Sequence, residues 1–119
     1  MIGTEQLVDE IIKGLQDKKG HRITVANLTE IDDTICQYFV VCTGSSPAQV
    51  NALAHSVDDS VRKAGGGHPI STVGTQHSLW VAMDYADVMV HIFMPEEREF
   101  YDLEHLWADA QLTELEDLD

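Results

Sequence analysis

The chain has 119 residues, 44% of them apolar and 24% charged, which suits one globular domain built on one hydrophobic core. Seven Lys and Arg stand against 21 Asp and Glu, a formal net charge of -14 at pH 7. That balance argues against direct binding to duplex DNA, RNA or an anionic membrane, because each of these depends on basic side chains meeting phosphate.

Leu7, Val8, Ile11, Ile12 and Leu15 recur at helical spacing after Thr4, which reads as the N-cap, and the pattern stops at Gly20. Arg22 to Leu28 alternates as a strand with Ile23 and Val25 on one face. Tyr38-Phe39-Val40-Val41-Cys42 is apolar at every position, which predicts a strand covered on both sides, in mid-sheet. Thr43-Gly44-Ser45-Ser46-Pro47 breaks that strand and opens a second helix with Val50, Leu53, Ala54, Val57 and Val61 on one stripe, ended by Gly65-Gly66-Gly67. A Gly, Ser and Thr-rich loop follows, with a short strand around Ile70 to Val73. Ser78 to Asp84 and Asp87 to Phe93 then form two strands joined across Tyr85-Ala86. The last helix begins at Pro95, carries Glu96 and Glu97 in its first turn as the helix dipole favours, and runs to about Ala108. The order predicts a single α/β domain over residues 1–109, a mixed sheet with packed helices, and an acidic tail over residues 110–119 that is expected to stay solvated.

Residues 61–119 carry three basic and twelve acidic side chains, against four and nine in residues 1–60, so the second half attracts cationic surfaces more strongly. The start of the chain lacks a secretory pattern and no apolar run reaches membrane-spanning length. Cys36 and Cys42 lie six residues apart near one strand, too far to bridge each other, so a reduced, cytoplasmic protein is expected. The six histidines show no zinc-binding spacing, and neither a metal nor a cofactor is predicted.

The hairpin separates two chemistries. Leu79, Val81, Met83, Val88, Val90 and Ile92 make one aliphatic face, fit to meet a helix. If Tyr85-Ala86 is a two-residue turn, Asp84 pairs with Asp87, Ala82 with Met89 and Trp80 with His91, and the other face carries Trp80, Met89, His91, Phe93 and two carboxylates. Two readings stand. Aromatic rings beside charges compose a binding surface, or a further helix covers Trp80 and this face is the other half of the core. Asp84 and Asp87 also suit a turn for purely local reasons.

Catalysis finds less support. Thr43-Gly44-Ser45-Ser46 before a helix is similar to the Gly-Ser turn of nucleotidyltransferases, which holds a phosphate at a helix N-terminus. That chemistry also needs two carboxylates on one side of a strand to hold Mg²⁺, and neither Asp84 with Asp87 nor adjacent Asp32-Asp33 has that alternation. Ser45 or Ser46 reads better as a cap before Pro47, and Cys42 as a buried thiol.

Tyr38 to Ser46, Trp80 to Phe93 and Arg98 to Trp107 together resemble the ribosomal silencing factor family, related to the plant Iojap protein, across nearly the whole chain. The resemblance implies a nucleotidyltransferase-like α/β fold and a non-catalytic translation repressor. It also implies binding to the large ribosomal subunit through its conserved protein fourteen, which blocks joining with the small subunit when nutrients are scarce. Carried onto this chain, the contact surface is Trp80, Asp84, Tyr85, Asp87 and His91, with Tyr101 and Asp102 nearby. Homodimers within the family make self-association an expectation. A nucleotide-binding enzyme and a ribosome-assembly factor are the alternatives. Three positions depart from the family pattern: Ala86 where Gly is frequent, Gln37 where an acid is frequent, and Val73 where Glu usually precedes Gly74. A Cβ at positive φ costs about 1–2 kcal/mol, so Ala86 predicts a turn that differs from the family's.

Overall fold

The apolar periodicities lead to three helices and six strands in the computed structural model, which describes residues 2–31, 36–103 and 110–117. In chain order they are α1 (Thr4–Asp17), β1 (His21–Asn27), β2 (Tyr38–Thr43), α2 (Pro47–Lys63), β3 (Ser71–Val73), β4 (Trp80–Asp84), β5 (Val88–Phe93), α3 (Pro95–Tyr101) and β6 (Gln111–Glu114). The sheet order is β3-β4-β5-β2-β1-β6, with β2 and β5 parallel and every other neighbouring pair antiparallel. The expected mixed α/β sheet is therefore present, and the all-apolar segment at Tyr38 is flanked by strands on both sides.

One face of the sheet meets α1 and α2. Val8, Ile11 and Leu15 of α1 and Val50, Leu53, Val57 and Val61 of α2 form one buried cluster with Ile23, Val40, Val81, Met83, Val88, Val90 and Ile92 of the strands. The two helices cross at Gly14, where a Cβ would lie 2.9 Å from the Ser56 carbonyl oxygen and from Val57 Cα. Ser56 and Ser60 donate across the same contact to the carbonyls of Gly14 and Glu10, at 2.7 and 2.9 Å. Thr4 is the first residue of α1 and not its cap: Gly3 occupies that position. The Thr4 hydroxyl donates to the Asp87 carboxylate instead, at 3.1 Å.

The hairpin register differs from expectation. Tyr85 N–H donates to the Val88 carbonyl at 2.9 Å, so the two-residue turn is Ala86-Asp87, one residue later. Asp84 then pairs with Met89, Ala82 with His91 and Trp80 with Phe93. The strands are slipped by two residues, an even number, so the paired side chains from Trp80 to Asp84 and Met89 to Phe93 keep their expected faces. Asp87 instead passes into the turn and lies beside α1. The physical reason is Tyr85. Just past the end of β4 and opposite Val88, it joins the helix-facing core at 9% exposure, whereas Asp87 tolerates the turn.

Ala86 adopts φ +70°, so the turn keeps the left-handed conformation that glycine favours instead of avoiding it. Ala86→Gly is expected to stabilise the fold by about 0.5–1 kcal/mol, the relief of Cβ strain outweighing the added freedom of the unfolded chain. Thermal unfolding should show a rise of a few degrees.

Two further expectations are corrected. The last helix does not run through Asp102, which adopts φ +47° and donates its N–H to the Arg98 carbonyl at 2.9 Å, stopping α3 at Tyr101. The remainder of that expected helix, 104–108, lies outside the described residues, as do Asp32 and Asp33. The acidic segment expected to be a solvated tail supplies β6, with Thr24 opposite Glu114 and Ala26 opposite Leu112. Backbone demand outweighs charge here, because β1 would otherwise leave one edge unpaired. Leu115 N–H to the Ile23 carbonyl at 2.8 Å, and Arg22 N–H to the Asp117 carboxylate at 2.9 Å, extend the contact.

Candidate functional site

The sheet face turned away from α1 and α2 gathers Phe39 and Thr43 of β2, His91 and Phe93 of β5, and Trp80 and Asp84 of β4 through the alternation of each strand. A second small cluster, Ala26, Leu28, Cys36 and Phe39, lies beneath one end of this face. Trp80 is half-buried at the other end. Its ring stacks on Phe93 at 5.0 Å between centroids and meets Tyr101 of α3 at 4.5 Å. Its indole N–H donates to Nδ1 of His91 at 3.0 Å. Tyr101 is 44% exposed, and Phe100 beside it is 82% exposed, so the aromatic surface runs from the sheet onto the helix.

An indole nitrogen can only donate, so Nδ1 of His91 is the acceptor and the ring carries its proton on Nε2. Burial holds the His91 pKa down, to about 4. In the unfolded chain the ring protonates near pH 6.5. The sign follows: stability is complete above pH 6.5 and falls as the pH drops towards 4, because the unfolded state takes up a proton that the folded state refuses. The loss is about 3 kcal/mol. Denaturant unfolding should show that decline for the parent and not for His91→Phe.

The seven residues expected at the contact surface separate into groups. Trp80 and Tyr101 meet on the open face, and Asp84 shares that face at the opposite end of β4; each is partly accessible. His91 is there too but only 7% exposed. Tyr85 belongs to the opposite, helix-facing core. Asp84 accepts from Ala86 N–H at 2.7 Å, which fixes its carboxylate over the turn. Asp87 is exposed beside the start of α1, and half-buried Asp102 closes α3.

Tyr85 Oη is buried and has no hydrogen-bond partner. Desolvation raises its pKa. Tyr85→Phe should therefore stabilise the fold by about 1 kcal/mol, read by denaturant unfolding.

Sequence reasoning missed Arg98. The side chain is 2% exposed and passes from α3 to the sheet, where it donates to the Arg22 carbonyl at 2.5 Å and to the hydroxyls of Thr43 at 2.9 Å and Thr24 at 3.0 Å. Arg22 stands at a break in the β1–β2 register with φ +50°, which turns its carbonyl out of the ladder towards the guanidinium. The available signal was the only Lys or Arg after Lys63, in a strongly acidic stretch three residues before Tyr101.

The Gly-Ser turn before α2 is already satisfied. Ser46 Oγ accepts from Gln49 N–H at 3.1 Å, and both N–H and Oγ of Ser45 donate to Gln49 Oε1 at 2.6 Å. Gln49 in turn donates to the carbonyls of Lys18 and Lys19. The N–H and hydroxyl of Ser45, two donors that a phosphate would use, are thus engaged within the protein. Among the described residues no group of three His, Cys, Asp or Glu could hold a metal ion. No described helix is long and apolar enough to cross a membrane. Both cysteines are buried, and burial pushes the Cys42 thiol up to about 12, which leaves it unreactive.

Fold and face together define a small α/β protein with a mixed sheet, two helices on one side, and on the other an aromatic shelf with a carboxylate at the far end of the same strand. The family model described as "Ribosomal silencing factor during starvation" matches residues 2–119, and the chain belongs to that family. It is 34% identical over 115 residues to the ribosomal silencing factor RsfS of Halalkalibacterium halodurans, covering 97% of each chain. It is 33% identical over 79 residues to the chloroplastic protein Iojap of Zea mays, covering 66% of this chain and 34% of that one. A crystal structure of a Chromobacterium violaceum protein superposes with a TM-score of 0.84 at 33% identity, covering 90% of this chain and 88% of that one.

Proposed function

We propose that this protein is a non-catalytic translation repressor that binds the large ribosomal subunit through its conserved protein fourteen and sterically blocks joining of the small subunit. The reading places it in the cytoplasm, acting when nutrients are scarce, and able to pair with a second copy. Family membership supports the general role. The observation that carries the choice of surface is Trp80, a large side chain left partly accessible on a rigid aromatic bed, with Asp84 on the same strand and the same face. Aromatic anchors supply contact area at low ordering cost, and an acidic rim steers a basic ribosomal protein into register.

The test is co-sedimentation with purified large subunits. Trp80→Ala is expected to weaken binding about tenfold or more, since it removes the anchor. Asp84→Lys should weaken it chiefly at low salt, where charge steering is strongest. If both variants sediment with the subunit as the parent does, the surface is wrongly placed. A subunit-joining assay then separates silencing from assembly, because only a silencer lowers formation of the joined ribosome in proportion to its occupancy.

A further inference from the structure

Resting on the reading that Trp80 anchors the contact surface, we propose that His91 is a positioning residue: it fixes the plane of the Trp80 indole and leaves contact with the partner to other side chains. A partner-binding histidine would present its ring to solvent, yet His91 is 7% exposed. Ala82 and Val41 flank it on the neighbouring strands, both small and uncharged. Phe39 and Phe93 hold its ring from either side, at centroid distances of 5.3 and 6.1 Å. A ring packed in this way keeps its orientation, so Nδ1 stays aimed at the indole N–H, 3.0 Å away.

The consequence for Trp80 is specific. Stacking on Phe93 and Tyr101 restricts the indole but allows it to slide or flip, whereas one directed hydrogen bond selects a single orientation. Ordering the anchor before the encounter removes a cost that binding would otherwise carry, worth roughly three- to tenfold in affinity. His91 therefore contributes to affinity without touching the partner.

Nitrogen-15 NMR and large-subunit co-sedimentation on the same variants test this. The parent should show His91 as the neutral Nε2–H tautomer and a slowly exchanging indole proton at Trp80, assigned by its disappearance in Trp80→Phe. His91→Phe keeps a ring of similar size without an acceptor; indole exchange should accelerate and binding weaken roughly three- to tenfold. His91→Asn places Oδ1 near the position of Nδ1 and should restore both. Unchanged binding by a folded His91→Phe with a freed indole overturns the proposal. Equal weakening by His91→Asn with its indole still protected also overturns it, because His91 would then touch the partner itself. Should His91→Phe not fold, the parent spectrum decides, and an Nδ1–H tautomer refutes the geometry. Unchanged binding by Trp80→Ala sinks the reading of the surface instead, while the NMR arm still reports on the positioning.

Discussion

Arg98→Met should lower stability by about 3 kcal/mol, a drop of some ten degrees in the unfolding midpoint, because it strips a part-buried carbonyl and two buried hydroxyls of charge-assisted donors. Thermal and denaturant unfolding measure it. Methionine retains the volume and flexibility of the stem, so the loss reports on hydrogen bonding more than on a cavity. Arg98→Lys should rescue little, since one ammonium cannot reproduce a planar fork that reaches both β1 and β2. The effect extends to the face. Tyr101 lies on the same short helix and meets Trp80 at 4.5 Å, so loosening α3 should also release the tryptophan, seen as faster exchange of its indole proton.

Gly74→Ala is the second large effect. Gly74 turns the chain between β3 and β4 at φ +92°, and a Cβ there would lie 2.0 Å from the carbonyl oxygen of Trp80. Backbone atoms cannot yield as a flexible side chain does, so left-handed strain and steric overlap add, and a loss of roughly 3 kcal/mol or more is expected by denaturant unfolding. Crystallography or NMR of the variant should find β3 displaced from β4 and Trp80 shifted from Phe93. Large-subunit binding should fall with the shift even at temperatures where the variant remains folded.

Where local pattern and tertiary demand agree, the sequence was sufficient. The uninterrupted apolar run at Tyr38 could only be a covered strand, and Ser46 before Pro47 could hardly avoid capping α2. The two faces of the hairpin were also legible, because alternation survives an even slip. The turn itself was not, since Tyr85-Ala86 and Ala86-Asp87 have equal local claims and only the room for Tyr85 in the core decides between them. β6 was hidden for a different reason. Its composition is acidic and its strand character comes from the exposed edge of β1, a partner some ninety positions away in the chain. Buried Arg98 likewise depends on a bulge in another element. The candidate face was foreseen as a set of residues, but the division of labour within it was not: spacing cannot tell a histidine that supports a tryptophan from one that meets a partner.

The pairing of β6 with β1 sets the order in which the molecule can be finished. Every other strand has its neighbours within the first 93 residues, whereas the outer edge of β1 waits for residues 111–114. A nascent chain can assemble the helix-backed core first, and covers that edge only when residues 111–114 follow. Until then the edge of β1 is open to strands of other chains, so β6 also guards against edge-to-edge association.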